Sequence, residues 1–221
     1  MMPSTKGFEQ ALTKPEHRIL SGLTSTNRIQ AFLDNLTYSP ETGYRCPLRV
    51  IREKVAHCFD GALFGAAALR RLGHQPLVLY MIATSRDDDH LLAIYKRDGS
   101  WGAVAKSNFV GLRFREPVYR TLRELVMSYF ESYYNVAREK TLRSYTVPLN
   151  LRTYDKQNWM VKDEPLERIA ERLDEIRRFP LLTRRAVRGL SPVDERSYRA
   201  GMYGLDRKGL FDPSDRGRSG R

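Results

Sequence analysis

Apolar positions in the first quarter of the chain recur mostly every three or four residues, which is typical of helices. The pattern runs from Lys14 to Leu36, and Gly22 with the Ser and Thr residues after it predicts a break. Residues 37–47 carry Pro and Gly at turn spacing and predict a loop. A short helix over 48–55 is expected to follow. The first 55 residues are therefore expected to form a helical N-terminal region that precedes the core of the fold.

The next segment, residues 58–72, predicts the central helix of the protein. Its apolar residues surround the helix on all sides, so other elements should cover it completely. Gly73 after its last turn, with two arginines just before, predicts where the helix ends. Gly61 and Gly65 should allow a neighbouring backbone to approach closely.

Residues 76–84 and the two runs that follow are rich in β-formers and predict strands. Asp98 and Gly99 supply turn chemistry between residues 90–97 and 101–106, which predicts a hairpin. Residues 118–134 show one apolar face at helical spacing, with Pro117 expected in the first turn of that helix. A further helix is expected over 165–178.

These elements predict an α+β fold in which the central helix packs on an antiparallel sheet, with helical additions at both ends. Residues 1–150 are expected to form the main domain, and residues 151–221 a helical, partly disordered basic extension. The last 31 residues, rich in Gly, Pro and Arg, predict a loosely ordered tail.

Composition narrows the class of protein. The chain has 41% hydrophobic and 29% charged residues, as ordinary globular domains do. Two cysteines in 221 residues favour a reducing compartment, so we expect a cytoplasmic protein. The N-terminal residues hold no apolar run, and the longest one, residues 76–83, is too short to span a bilayer, so no membrane association is expected.

The chain is strongly basic, with 38 Lys and Arg against 26 Asp and Glu and a net charge of +12. Such a charge makes contact with nucleic acid or an acidic partner plausible. The basic residues are scattered and show no RNA-recognition, zinc-finger or KH pattern, so an arginine-rich solvated surface explains them equally well.

Cys58 opens the central helix, and this position favours reactivity. Unpaired backbone N–H groups and the positive end of the helix dipole stabilise a thiolate, and the same N–H groups could hold an oxyanion. The hypothesis predicts a low thiol pKa at Cys58. The alternative is that Cys58 is a small apolar residue of the core, as free cysteines often are. Cys46 lacks this context and is expected to be structural.

A thiol nucleophile needs an imidazole as base and a third group to orient it. His90, at the start of a predicted strand, is the candidate base. Of the other three histidines, one lies in the helical N-terminal region, one adjoins Cys58, and one follows the far end of its helix. Asn108, beyond the partner strand, is the candidate orienting residue. Alternatively, His90 is a structural histidine that binds one of the aspartates at 87–89.

The order of these features resembles the transglutaminase-like superfamily. "CFDGALFGAAALRRLGHQPLVL" and "DDDHLLAIYKRDGSWGAV" match its cysteine at a helix start, its Leu-Arg-x-x-Gly helix end, and its histidine opening a hairpin that contains a tryptophan. The resemblance covers about residues 58–108. It implies a papain-like core and acyl transfer through a thioester. The family's aspartate after the tryptophan has no counterpart, since the chain has Ala105 to Asn108 there.

Two functions follow as hypotheses. The first is a cysteine-dependent hydrolase or acyltransferase that acts on amide bonds of a protein or peptide, with Cys58, His90 and Asn108 as the site, Tyr44 as a candidate second oxyanion donor, and no cofactor. The second is an inactive relative that binds nucleic acid or an acidic partner through its basic surface. A metal site is disfavoured, because the chain has neither CxxC nor HExxH spacing.

Overall fold

The computed structural model describes residues 5–40 and 43–211. The helices are α1 (Lys6–Gln10), α2 (Lys14–Gly22), α3 (Thr26–Asp34), α4 (Pro47–Glu53), α5 (Cys58–Arg71), α6 (Leu122–Met127), α7 (Leu166–Glu175), α8 (Arg184–Arg188) and α9 (Glu195–Gly201). The strands are β1 (Thr37–Tyr38), β2 (Val55–Ala56), β3 (Leu77–Ile82), β4 (His90–Arg97), β5 (Ser100–Val104), β6 (Arg115–Tyr119), β7 (Ser144–Thr146), β8 (Leu149–Asn150) and β9 (Arg178–Pro180). Short 3₁₀ helices lie at Val110–Leu112, Phe130–Ser132, Leu151–Gln157 and Arg207–Gly209.

Seven of the strands in the described part of the chain form one antiparallel sheet. Their order is β6-β5-β4-β3-β7-β9, and β8 also pairs with β3. The short strands β1 and β2 pair separately and in parallel. The predicted α+β class with a helix on an antiparallel sheet is confirmed.

The central helix α5 is buried along nearly its whole length, as its all-round apolar pattern predicts. It packs on β4, with α3 and α4 on its other sides. Its two glycines lie where the sheet comes closest. A Cβ on Gly61 would overlap the Cβ of Lys106, and one on Gly65 would lie 2.9 Å from Val104 and 3.1 Å from Ala93. The predicted close approach of a backbone is confirmed at Gly61, where Cα and N of Lys106 lie 3.3 Å from such a Cβ, whereas the atoms near Gly65 belong to side chains.

The hairpin is confirmed, with β4 and β5 joined through a turn at Asp98 and Gly99. Both residues have positive φ, 49° and 81°, as a tight two-residue hairpin turn requires. The predicted break in the N-terminal helical region is also confirmed. Helix α2 ends at Gly22, and α3 begins afresh where the Ser25 side chain accepts the backbone N–H of Arg28.

The single helix predicted over 118–134 is wrong. Pro117 lies in β6, an edge strand, where its missing N–H disturbs only one side of the ladder. Helix α6 begins after Thr121, whose side chain accepts the N–H of Glu124, while Glu124 accepts the N–H of Arg120. The apolar residues still face the core, because a short helix followed by a 3₁₀ turn keeps them on one side.

Residues beyond 150 share the core of the preceding residues. Arg70 of α5 donates to both carboxylate oxygens of Asp155, at 2.6 and 2.7 Å, and Trp159 donates to Asp155 at 3.1 Å. Strand β9 extends the main sheet through β7. The division into two units at residue 150 stays a prediction. The hydrogen bonds of Asp155 and the pairing of β9 with β7 connect residues before and after that position.

The chain after residue 190 is more ordered than its composition predicts. Helix α9 begins where the Asp194 side chain accepts the N–H of Ser197, and a 3₁₀ turn follows at Arg207–Gly209. Residues 212–221, where the loosely ordered tail is also predicted, lie outside the described residues. Over the ranges that the structure describes, no helix has both the length and the apolar character needed to cross a membrane.

We expect Gly61→Ala to lower the free energy of unfolding by about 1–3 kcal/mol. The new methyl group overlaps the Cβ of Lys106, which is fixed to the backbone and cannot move away as the end of a side chain could. Gly22→Ala is the matched control, since open space surrounds that helical glycine. Its stability should stay the same or rise by up to about 1 kcal/mol. Urea unfolding measures both, and equal effects of the two variants would contradict the close approach.

Candidate active site

A cleft of about 690 Å³ opens where α5 and β4 both begin. Cys58 and His90 both line it, so the structure brings the predicted nucleophile and base to one place. The cleft also draws side chains from distant parts of the chain. These include Tyr38, Tyr44, Tyr80, Asp87, Asp88, Asp89, Asn108, Leu112, Tyr133, Asp174 and residues 208–211.

Cys58 is the first residue of α5 and is half-buried. Its thiol donates to the backbone carbonyl of Asp89 across 3.9 Å. The backbone N–H groups of Leu91 and Phe59 are directed at the sulfur and lower the thiol pKa. The thiol therefore lies against the backbone at the start of β4.

The pKa of the Cys58 thiol is raised to about 12, so the predicted low thiol pKa is wrong. Burial is the largest cause, and the carboxylates of Asp88 and Asp60 add to it. The N–H groups at the helix start oppose these effects and are outweighed. At neutral pH the thiol carries its proton.

His57 is the N-cap of α5 and binds the N–H groups of its first turn. Its Nδ1 accepts the N–H groups of Phe59 at 3.1 Å and Asp60 at 3.4 Å, and Asp60 accepts the N–H of His57 in return. The N–H of Phe59 is thus shared between the His57 ring and the Cys58 sulfur. Sequence analysis missed this role, although an aspartate three residues after the cap position is the usual signal.

His90 is buried, with only 4% of its surface exposed. Its Nε2 lies 2.8 Å from the backbone carbonyl of Leu112. A carbonyl can only accept, so Nε2 carries the proton and Nδ1 keeps its lone pair. Burial lowers the pKa of His90 to about 4, although the Leu112 carbonyl opposes this shift. The ring is therefore a neutral base whose free nitrogen is Nδ1.

The structure records no hydrogen bond between the Cys58 thiol and the His90 ring among the described residues. The strand geometry gives the reason. Leu91 and Ala93 of β4 pack toward α5, while Leu92 and Ile94 pack on the opposite face. His90 shares the face of Leu92 by the alternation of a strand. The two groups meet at the end of the sheet, with the strand backbone between them.

Asn108 does not orient His90, and this part of the predicted site is corrected. Its side-chain nitrogen donates to the carbonyl of Asp206 at 2.7 Å, and its side-chain oxygen accepts the N–H of Asp206 at 2.8 Å. Both polar atoms of the amide are thus used by the C-terminal segment. The Leu112 carbonyl holds the position that sequence analysis assigned to Asn108, and a backbone group leaves no residue signal in a sequence.

Carboxylates and tyrosines form much of the remaining wall. Asp87 is buried, binds the Thr141 hydroxyl, and has a pKa raised to about 6 by burial. Tyr133 donates its hydroxyl to the carbonyl of Asp88 at 2.9 Å. The carboxylate of Asp89 accepts the N–H of Ala83 at 2.7 Å. The predicted alternative, His90 bound to a neighbouring aspartate, does not occur.

Tyr44, the candidate oxyanion donor, stacks on Phe59 with ring centroids 4.4 Å apart. Its ring also meets His57 edge-on at 5.9 Å. Cys46 is buried, and its backbone N–H donates to Asp163 at 2.8 Å at the start of α4. Among the described residues, no group of three or more His, Cys, Asp and Glu side chains is placed to hold a metal ion.

His57→Asn should make the protein less sensitive to acid. Burial lowers the pKa of His57 to about 4, so the unfolded chain takes up the proton more readily and stability is lost as the pH falls from about 6.5 toward 4. Asparagine keeps a capping oxygen and cannot be protonated there. Between pH 6.5 and 4 the free energy of unfolding of the variant should therefore fall by up to about 3 kcal/mol less than that of wild type. Urea unfolding across this pH range measures the difference. His17→Asn, at an exposed histidine, is the control, and parallel curves for both variants and wild type would contradict the prediction.

Alkylation of Cys58 by iodoacetamide should be slow at neutral pH. Its rate should rise continuously up to about pH 10, because the thiol pKa is raised to about 12. His90→Ala should leave the profile nearly unchanged, since no hydrogen bond joins the two groups. Mass spectrometry assigns the label, with the buried Cys46 as an internal control. Fast alkylation near pH 6 that slows in His90→Ala would instead reveal a thiolate and imidazolium pair.

Comparisons with known proteins add a likeness at the level of the fold. No family model matches the chain, and no curated protein matches it. Among solved structures the chain is similar to Legionella pneumophila LapG, with 9% identity, 74% of this chain and 94% of that chain covered, and a TM-score of 0.40. EGTA-treated Legionella pneumophila LapG matches with 10% identity, 72% and 94% coverage, and a TM-score of 0.39. The likeness is weak and assigns no residue of the cleft.

Proposed function

We propose that the protein is a cysteine-dependent hydrolase or acyltransferase that acts on amide bonds through a thioester, with Cys58 as nucleophile and His90 as base. The hydrogen bond from His90 Nε2 to the Leu112 carbonyl carries the proposal. It fixes the tautomer in which Nδ1 is free to accept a proton, in the same cleft as the thiol. In the known Ser and Cys triads a carboxylate or amide side chain fixes the tautomer of the histidine.

The neutral resting state determines how the reaction would start. The proposal requires that His90 Nδ1 come within hydrogen-bond distance of Cys58 Sγ when substrate binds, because the free protein has no bond between them. With thiol and imidazole both uncharged, Nδ1 then takes the thiol proton as Sγ attacks the substrate carbonyl, instead of beforehand. The S–C bond forms, and the carbonyl π electrons move to oxygen. The imidazolium then gives its proton to the leaving amine as the C–N bond breaks. Water or a second amine resolves the thioester and regenerates the thiol.

The oxyanion needs a donor near the thiol, and the backbone N–H of Cys58 suits this role. No hydrogen bond from this N–H to a protein acceptor is recorded among the described residues, unlike the N–H groups of Phe59 and Asp60. An unpaired N–H at the first position of a helix is directed along the helix axis toward the cleft. The substrate would be a protein or peptide amide, and the chemistry needs no cofactor.

The test is acylation of the full-length protein by an activated acyl donor, p-nitrophenyl acetate, followed by turnover of peptidyl aminomethylcoumarin amides. We expect a burst of p-nitrophenol and one acetyl group on Cys58, removable by hydroxylamine. Cys58→Ala should abolish both signals, and His90→Ala should slow acylation about 10²–10⁴-fold. Cys46→Ala is the matched control and should react like wild type. Acylation that persists in Cys58→Ala, or its absence from folded wild type, would refute the proposal.

A second function, binding without catalysis, is favoured by the raised thiol pKa and the missing bond between Cys58 and His90. In that case the net charge of +12 would be used to bind nucleic acid or an acidic protein. Affinity for a double-stranded oligonucleotide would then fall steeply with salt and be the same in Cys58→Ala. This result together with absent acylation would replace the first proposal by the second.

A further inference from the structure

The end of the described chain returns to the cleft. Helix α9 is anchored beside it, because Tyr134 donates to the carbonyl of Ser197 at 3.1 Å and Tyr198 donates to the carbonyl of Val136 at 3.3 Å. The following residues then cross the cleft mouth. Residues 208–211 line the same cleft as Cys58. We refer to residues 206–211 as the C-terminal strap.

Asn108 holds the first residue of the strap in a reciprocal pair of hydrogen bonds with the backbone of Asp206, at 2.7 and 2.8 Å. This pairing copies the contact that a neighbouring backbone makes in an antiparallel sheet. The side chain of Asp206 in turn accepts the N–H of Lys208 at 3.0 Å and shapes the turn that follows. Asn108 thus binds a peptide backbone, whatever side chain it carries.

Gly209 lies flat on the ring of Tyr38. A Cβ at this position would come within 2.5 Å of the Tyr38 ring and 3.3 Å of the Asn108 nitrogen. A rigid ring cannot yield as the end of a flexible side chain can, so only glycine fits here. The fit is specific to the strap, since Tyr38 is itself a wall of the cleft.

The cleft and the strap carry charges of opposite sign, although no ion pair of Lys208 with a cleft carboxylate is recorded among the described residues. The cleft carries four carboxylates, Asp87, Asp88, Asp89 and Asp174, in a protein whose net charge is strongly positive. The strap brings Lys208 to this cleft, followed by the glycine and then by two partly buried apolar residues, Leu210 and Phe211. A basic residue, a glycine and two large apolar residues therefore lie along the acidic and aromatic walls.

We propose that the cleft is a groove for a peptide of the type Lys-Gly-Leu-Phe bound through a 3₁₀ turn, and that the C-terminal strap occupies it within the same chain, so that Cys58 is closed to other peptides until the strap leaves. The assignment of this peptide as a substrate rests on the function proposed above. Binding and closure do not, because they need no reaction at the thiol. A competing peptide would bind with an apparent affinity reduced by the fraction of molecules in which the strap is out.

The experiment displaces the strap in the full-length chain with Gly209→Leu and measures binding of a fluorescein-labelled peptide, Gly-Leu-Asp-Arg-Lys-Gly-Leu-Phe, by anisotropy. We expect binding at least about tenfold tighter than to wild type. Gly189→Leu is the matched control, since that glycine is exposed and does not line the cleft, and it should bind like wild type. A peptide with leucine in place of its second glycine, the counterpart of Gly209, should not bind to any of the three proteins.

Two further measurements separate the possible outcomes. Asn108→Ala removes both bonds to Asp206 and should also release the strap, and its readout is alkylation of Cys58, because the same amide would bind the added peptide. Alkylation of Cys58 at a fixed, mildly alkaline pH should rise at least about fivefold in both strap variants. Repeating the anisotropy in a Cys58→Ala background removes any chemistry from the result. Equal peptide affinity in wild type and Gly209→Leu, or no binding to either of them, overturns the groove even if Cys58 proves catalytic.

Discussion

The close packing of α5 against the sheet is the constraint on which the rest of the structure depends. Two glycines on one side of the helix remove the side chains that would hold it away from β4 and β5. The helix can then be apolar on every side and still be fully covered. Because the helix begins level with the start of β4, its first residue, Cys58, lies against the strand backbone at the end of the sheet.

The same packing determines the electrostatics of the cleft. A helix N-terminus by itself favours a thiolate, yet the pKa of Cys58 is raised, because burial and two carboxylates outweigh the N–H groups. The His57 ring accepts two N–H groups of the first turn, and one of them, that of Phe59, also lowers the thiol pKa. Burial likewise lowers the pKa of His90. Burial thus favours the neutral form of both groups, the thiol and the imidazole.

The histidine and the asparagine of the predicted site have exchanged their expected partners for backbone groups. His90 donates to a carbonyl of the 3₁₀ turn that follows β5, and Asn108 binds the backbone of Asp206. The loop between β5 and β6 therefore serves two purposes. Its carbonyl fixes the tautomer of the base, and its amide side chain holds the chain segment that lies across the cleft.

Much of the fold could be read from the sequence, because local patterns decide it. The all-round apolar helix, its glycines and its end at Gly73, the hairpin turn at Asp98 and Gly99, and the break after Gly22 all rest on neighbouring residues. The region 118–134 was misread because a strand with a proline, a short helix and a 3₁₀ turn share the spacing of one amphipathic helix.

The sequence by itself determined that Cys58, His90, Asn108 and Tyr44 meet in one cleft, since Cys58 and His90 open predicted elements of the core and the other two lie in adjoining loops. The tertiary structure alone decided their charge state, their separation across the strand backbone, and the partners of Asn108 and His90. Those properties depend on burial, on backbone carbonyls and on contacts between residues far apart in the chain. None of these leaves a pattern in the order of the amino acids.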